Sequence, residues 1–245
     1  MVLQMDSNRP DVILTRPPRA SSLLADRLTQ TGLFGRICIS PLISTAINDV
    51  TVDVSDVDGV IFTSANAANS VGGHKKTAWC VGDSTARAAR DKGWLAKSVD
   101  GDVETLFRRI VAEGQGQRLI HLRGDHSLGD LAPRLSNAGI YARELITYRQ
   151  LTHDLTSEAK QRLSREKPVI VPLYSPRTAR QFVLQAPFEA PLITACMSEQ
   201  VEVELQNLLQ VACIVSNRPT GDGMLEAINL AKDVYCRIAG DAKQA

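Results

Sequence analysis

Val12-Ile13-Leu14-Thr15-Arg16-Pro17 is a short apolar run that ends in a hydroxyl residue, a cation and a proline suited to starting a helix. About 108 residues after Leu14-Thr15-Arg16-Pro17, Leu122-Arg123-Gly124-Asp125 repeats the design. Each stretch leads into a helical segment, a glycine (Gly32 or Gly139) and an extended run, to Ile43 in the first copy and Tyr148 in the second. Phe62-Thr63-Ser64-Ala65 is echoed by Leu173-Tyr174-Ser175-Pro176, and Gly101-Asp102 by Gly221-Asp222-Gly223. The offset grows to about 120, as loop insertions would make it. A repeat of this kind predicts two similar lobes.

Outward from these stretches, short apolar runs alternate with segments of helical periodicity. Strands are expected at 12–14, 37–39, 59–62, 78–81, 118–122, 169–174, 192–196 and 211–215, with an extended stretch at 142–149. Helices are expected at 20–31, 65–71, 84–92, 103–113, 128–137, 156–165, 178–184, 199–209 and 223–238. The strand runs are solidly apolar, which fits sheets covered on both faces. Strand–helix alternation then means α/β architecture with parallel sheets.

Composition removes several function classes. With 28 basic and 27 acidic side chains the net charge is +1, which argues against nucleic-acid binding by bulk electrostatics and against a polybasic membrane protein. The five cysteines are scattered, with no CxxC pair, and read as free thiols in a reducing cytoplasm. Met1 to Pro10 is polar, without the apolar core of a signal peptide, and no run approaches a membrane span. A cytoplasmic protein is expected. No GxxxxGK[ST] loop, helix-opening GxGxxG or GxSxG elbow is present. The four histidines (His74, His121, His126, His153) make no metal-binding pattern and read as surface or loop residues, so no metal is expected.

The positive signal recurs: a strand ends in a small hydroxyl residue and a helix begins. Thr15, Thr63-Ser64, Gly82-Asp83-Ser84-Thr85, Ser175 and Thr220 all fit it, with Arg16, Arg123 and Arg177 beside them. Such turns put backbone N–H groups and a hydroxyl at the positive end of a helix, and parallel sheets gather these ends on one edge. Ordinary N-capping explains any one turn; together, with the arginines, they favour a cleft for a polyanionic ligand. Tyr148, at the end of the extended run, is either a packed boundary residue or a weak general acid.

The order and spacing of these fragments resemble the uroporphyrinogen-III synthase family from about Val12 to about Ile238. The resemblance is carried by Leu14-Thr15-Arg16-Pro17, Ile61-Phe62-Thr63-Ser64-Ala65-Asn66-Ala67, Val81-Gly82-Asp83-Ser84-Thr85-Ala86 with Gly93, Leu122-Arg123-Gly124-Asp125, 144–149, Tyr174-Ser175-Pro176 and Arg218-Pro219-Thr220. It implies two flavodoxin-like lobes joined by a two-stranded linker, with the active site in a cleft between them. One lobe would comprise 1–40 plus 150–245, the other 45–146, with linker strands near 41–45 and 146–150. The implied substrate is hydroxymethylbilane, a linear tetrapyrrole with eight carboxylates, closed to uroporphyrinogen III with inversion of ring D and loss of water. No cofactor, metal or nucleic acid is implied, and a monomer is. Tyr148 matches the tyrosine that assists hydroxyl loss. Thr15, Arg16, Thr63, Ser64, Ala65, Asn66, Gly82, Thr85, Arg123, Gly124, Ser175, Arg177 and Thr220 would bind the substrate's carboxylate arms.

One turn departs from the pattern. The counterpart of Val81-Gly82-Asp83-Ser84-Thr85 in the other lobe is Ala195-Cys196-Met197-Ser198-Glu199, which lacks the glycine and brings in a carboxylate. A non-catalytic binding or regulatory protein that keeps the same fold is the alternative reading.

Overall fold

Burial of the apolar runs on both faces organises the chain. The computed structural model describes residues 9–126 and 129–241; the polar segment before Arg9 and the expected helix start at residue 128 lie outside the described residues. The first half contains β1 (Asp11–Leu14), α1 (Pro18–Thr31), β2 (Ile37–Ile39), β3 (Ile43–Ile47), β4 (Gly59–Phe62), α2 (Ala65–Ser70), β5 (Thr77–Val81), α3 (Gly82–Asp91), β6 (Leu95–Val99) and α4 (Val103–Glu113). It continues with β7 (Arg118–Gly124), α5 (Leu131–Asn137) and the long β8 (Tyr141–Thr152). The second half contains α6 (Ser157–Leu163), β9 (Val169–Leu173), α7 (Pro176–Val183), β10 (Leu192–Cys196), α8 (Glu199–Val203), β11 (Ala212–Val215) and α9 (Gly221–Asp241).

The chain divides into two compact units, one formed by residues up to Ser44 together with those from Thr152 onward, the other by Thr45–Leu151. The first unit holds a five-stranded sheet in the order β11-β10-β9-β1-β2, with every neighbouring pair parallel. The second holds β3-β8-β7-β4-β5-β6, parallel from β8 to β6. The repeat seen in the sequence maps one sheet onto the other: β1 matches β7, β2 matches β8, and β9-β10-β11 match β4-β5-β6. Both sheets then follow the flavodoxin order 2-1-3-4-5. They differ in that the β1–α1–β2 half-unit opens its unit, whereas β7–α5–β8 closes the other, and in the added strand β3 of the second sheet. β3 runs along β8 in the opposite direction, with His153 N–H bonded to the Leu42 carbonyl at 2.9 Å and Asn48 N–H to the Thr147 carbonyl at 2.9 Å.

Each sheet has a core on both faces. In the first unit, Ile13, Val169, Val171, Leu173 and Phe182 fill one face and Leu14, Leu28, Ile170, Met224 and Ile228 the other. In the second, Val60, Phe62, Ala67 and Trp94 oppose Ile61, Trp79, Leu106 and Leu135 across the sheet. A buried cluster fixes the first strand to the C-terminal half. The Asp11 carboxylate accepts from the guanidinium of Arg162, from Lys167 Nζ at 3.3 Å and from the Arg36 backbone N–H at 2.9 Å.

Three expectations are corrected. β6, which no expected strand covers, extends the second sheet as an edge strand. α3 begins at Gly82 rather than residue 84, the turn being made by Gly82 itself at φ +72°. α8 stops at Val203 instead of continuing to 209.

Candidate active site

In each sheet the strand order reverses at one place, between β1 and β9 in the first unit and between β4 and β7 in the second. Ligands of open α/β sheets bind outside the carboxyl ends of the strands at such switch points.

In the second unit, Thr63 and Ser64 follow β4, and Arg123 and Gly124 end β7. Ser64 caps α2: its Oγ accepts from Ala67 N–H at 3.2 Å and lies 2.9 Å from the Tyr148 hydroxyl. Ala65 and Asn66 form the first turn of that helix, with Asn66 exposed. Tyr148 is buried and arrives through a β-bulge. Arg123 pairs with Ile146 but Gly124 pairs with Tyr148, so Thr147 is the extra residue. A bulge of this kind re-aims the next side chain. The Tyr148 ring lies over Gly124, where a Cβ would come within 2.5 Å of Cζ and 2.8 Å of the hydroxyl oxygen. Thr147 Oγ1 accepts from Ser70 Oγ at 2.8 Å, which ties the bulge to the end of α2.

Arg123 is engaged within its own unit. Its Nε and Nη2 donate to both oxygens of Glu144 at 2.9 and 2.7 Å, and its Nη1 to the Gly124 carbonyl at 2.8 Å. That bidentate bond is the main reason the Glu144 carboxyl is held below its ordinary range. Gly82 and Thr85 lie in the first turn of α3, with Thr85 buried, and Val81 at the N-cap provides no side-chain bond to the first-turn amides.

Sequence reasoning placed His121 on the surface or in a loop, and the structure corrects this. His121 falls within the expected strand at 118–122, and β7 holds it inside the sheet with only 2% of its surface exposed. Its Nε2 is 3.2 Å from Thr63 Oγ1 and its Nδ1 is buried without a hydrogen-bond partner. Burial pulls its pKa down to about 4, an effect that Glu144 opposes and Arg123 reinforces. The signal available in the sequence was the apolar neighbours on either side, Ile120 and Leu122.

In the first unit, Thr15 is fully buried, and its hydroxyl donates to the Pro172 carbonyl at 3.4 Å, so it offers the edge its backbone. The Arg16 guanidinium lies 4.1 Å from the centre of the Tyr174 ring. Burial pushes the Tyr174 phenol up, with Arg16 partly offsetting it. Ser175 caps α7 by accepting from Thr178 N–H at 3.2 Å, and half-buried Arg177 sits in the first turn. Thr220 Oγ1 accepts from Gly223 N–H at 3.1 Å at the start of α9. Thus, of the expected residues, Thr63, Ser64, Gly124 and Tyr148 belong to one unit, where Ser64 and Gly124 both meet Tyr148, and Thr15, Arg16, Ser175 and Thr220 belong to the other.

The departing turn has a structural counterpart. Cys196 ends β10 fully buried, its Sγ 3.6 Å from Cys213 Sγ. Ser198 makes no side-chain capping bond, and the five-residue α8 carries Glu199 and Glu202 in its first turn. Carboxylates there oppose an anion. Among the described residues, no cluster of three or more His, Cys, Asp or Glu is placed to hold a metal ion, and no helix is long and apolar enough to cross a membrane.

Two parallel α/β units of flavodoxin order, with hydroxyls and helix starts at both switch points, define the class of protein. Comparison with known proteins takes this further. The family model described as uroporphyrinogen-III synthase HemD matches residues 22–226. A uroporphyrinogen-III synthase of Chlorobaculum parvum is 26% identical over 91% of both chains. The crystal structure of uroporphyrinogen-III synthetase from Helicobacter pylori superposes with a TM-score of 0.61 at 15% identity, covering 90% of this chain and 99% of that one, and so shares the fold. The chain belongs to the uroporphyrinogen-III synthase family, a family of lyases in tetrapyrrole biosynthesis.

Proposed function

We propose that the protein converts hydroxymethylbilane to uroporphyrinogen III, with Tyr148 as the group that assists loss of the hydroxyl. The observation that carries this reading is the Ser64–Tyr148 hydrogen bond at 2.9 Å, beside Gly124 at the carboxyl edge of the sheet. Family membership favours the enzyme over a non-catalytic binding protein.

In the first step the C–O bond of the substrate's hydroxymethyl group breaks. The departing oxygen takes a proton from the Tyr148 phenol and leaves as water, while the pyrrole nitrogen lone pair forms the azafulvene cation, whose N–H proton is then lost, restoring the charge balance with the tyrosinate. Ser64, held by Ala67 N–H, fixes the phenol and is placed to hydrogen-bond the tyrosine oxygen as charge develops on it. An azafulvene closes spontaneously to the uninverted ring, so the enzyme's contribution is orientation: ring D must attack through its substituted carbon, pass through a spiro intermediate and invert. The substrate's carboxylate arms supply the handles for that orientation.

In this reading Thr63, Ala65, Asn66, Gly82 and Thr85 meet those arms from the second unit, and Arg16, Ser175, Arg177 and Thr220 from the first. Their backbone amides and hydroxyls at helix starts suit carboxylates. Arg123 acts indirectly, through Glu144 and the Gly124 carbonyl, by fixing the floor under Tyr148. The protein works without a cofactor, as a monomer in the cytoplasm, where its free thiols suit a reducing compartment. Purified protein given fresh hydroxymethylbilane should accelerate its consumption. Tyr148→Phe should slow that step while the melting temperature stays near wild type; unchanged turnover would remove Tyr148 from the mechanism.

A further inference from the structure

We infer that His121 is a positioning residue, whose neutral imidazole turns the Thr63 hydroxyl into a dedicated hydrogen-bond donor toward a substrate carboxylate. The inference rests on the reading of Thr63 as a substrate-binding residue. It starts from a buried polar group that the hydroxyl-loss chemistry does not use.

His121 lies in β7, opposite Ile61 of β4 and Glu144 of β8. Its side chain shares a sheet face with Thr63, two residues beyond Ile61, and the charged groups that act on it are Arg123 and Glu144, which are bonded to each other. The ring therefore stays neutral, with one proton for two nitrogens. Nε2 faces Thr63 Oγ1 at 3.2 Å and Nδ1 faces no partner. If the proton were on Nδ1, a buried N–H would be orphaned; on Nε2, only a lone pair is left unpaired, and that is the more readily tolerated defect.

The proton thus belongs on Nε2, which donates to Thr63. A hydroxyl that already accepts from a buried, immobile N–H directs its own O–H elsewhere. Thr63 itself lies between the end of β4 and the first turn of α2, at the edge where the carboxylate arm is read to bind. A carboxylate only accepts hydrogen bonds, so an oriented donor is what such an arm requires. An unconstrained threonine would instead spend part of its time presenting a lone pair.

Two measurements test this. In ¹⁵N-labelled protein, His121 should show the Nε2–H tautomer, unchanged from about pH 5 to about pH 8. An Nδ1–H pattern, or titration in that range, would overturn the inference. In steady-state kinetics with hydroxymethylbilane, His121→Phe should raise KM roughly 2- to 10-fold with kcat largely kept, the size of one lost neutral hydrogen bond. His121→Gln, which restores a donor, should recover most of it. Thr63→Val should raise KM at least as much, and adding His121→Phe to it should do nothing further. A wild-type KM in His121→Phe beside a raised KM in Thr63→Val defeats the role of His121 alone. A wild-type KM in Thr63→Val defeats the substrate-binding reading of Thr63 and this inference with it.

Discussion

Gly124 is the residue on which the placement of Tyr148 depends. A methyl group there would meet the tyrosine ring at 2.5 to 2.8 Å, against atoms pinned by Ser64 and by the bulge. Gly124→Ala should therefore displace the ring, lower kcat toward that of Tyr148→Phe and cost about 1–3 kcal/mol of stability, measured by denaturant unfolding beside the kinetics. His121 makes a prediction of a different kind. Its folded pKa of about 4 lies below the ordinary 6.5, so in that window the unfolded chain binds the extra proton. Stability from this group is complete above about pH 6.5 and is lost as pH falls toward 4, by about 3 kcal/mol. In His121→Gln the acid limb of the unfolding free energy should flatten by an amount of that order; an unchanged limb would contradict the neutral, buried ring. The sequence singled out Gly124 and Tyr148 because the first lies in a repeat fragment and the second ends the extended run that follows it. His121 was not singled out: it lies within the expected strand at 118–122, but a histidine one residue from the Arg123-Gly124-Asp125 turn gives no sign of how completely that face of the sheet is covered.

At the level of elements, the two capping serines separate stability from chemistry. Ser64 and Ser175 occupy matching positions in the repeat and cap α2 and α7 in the same way, but only Ser64 touches Tyr148. Each serine-to-alanine change should cost about 1 kcal/mol of stability in thermal melts. Ser64→Ala should also lower kcat by slackening the tyrosine, whereas Ser175→Ala should act on KM. Equal kinetic effects would show that capping alone explains both residues. The elements that escaped the sequence did so for physical reasons. β6 is an edge strand with Leu95 exposed and the Lys97 ammonium 4.6 Å from the centre of the Trp79 ring, so it lacks the solid apolar run of its neighbours. α8 was overextended because Val201, Leu205 and Leu208 keep helical spacing and are all buried, although the chain after Val203 reaches those sites through turns.

At the scale of the whole molecule, the chain builds one topology twice, with the repeated half-unit placed first in one unit and last in the other. The repeat announced two lobes, and family resemblance supplied the exchange of half-units; apolar patterning alone carries no record of which half-unit joins which sheet. That exchange makes Asp11 a long-range tie, because it joins β1 to α6 across about 150 residues of sequence. Asp11→Ala leaves the Arg162 charge buried without its carboxylate and should cost about 3–5 kcal/mol. In hydrogen exchange, protection should fall in β1, β9 and β10 and persist in β4, β5 and β7; an equal loss in both sheets would contradict the division into two units. The central claim concerns the product. With the wild-type protein and hydroxymethylbilane, the porphyrin isomers should be separated after oxidation at increasing enzyme concentrations. The III isomer should rise with enzyme until it dominates, at the expense of the spontaneously formed uninverted isomer. An isomer composition equal to the enzyme-free control at every concentration would contradict the account.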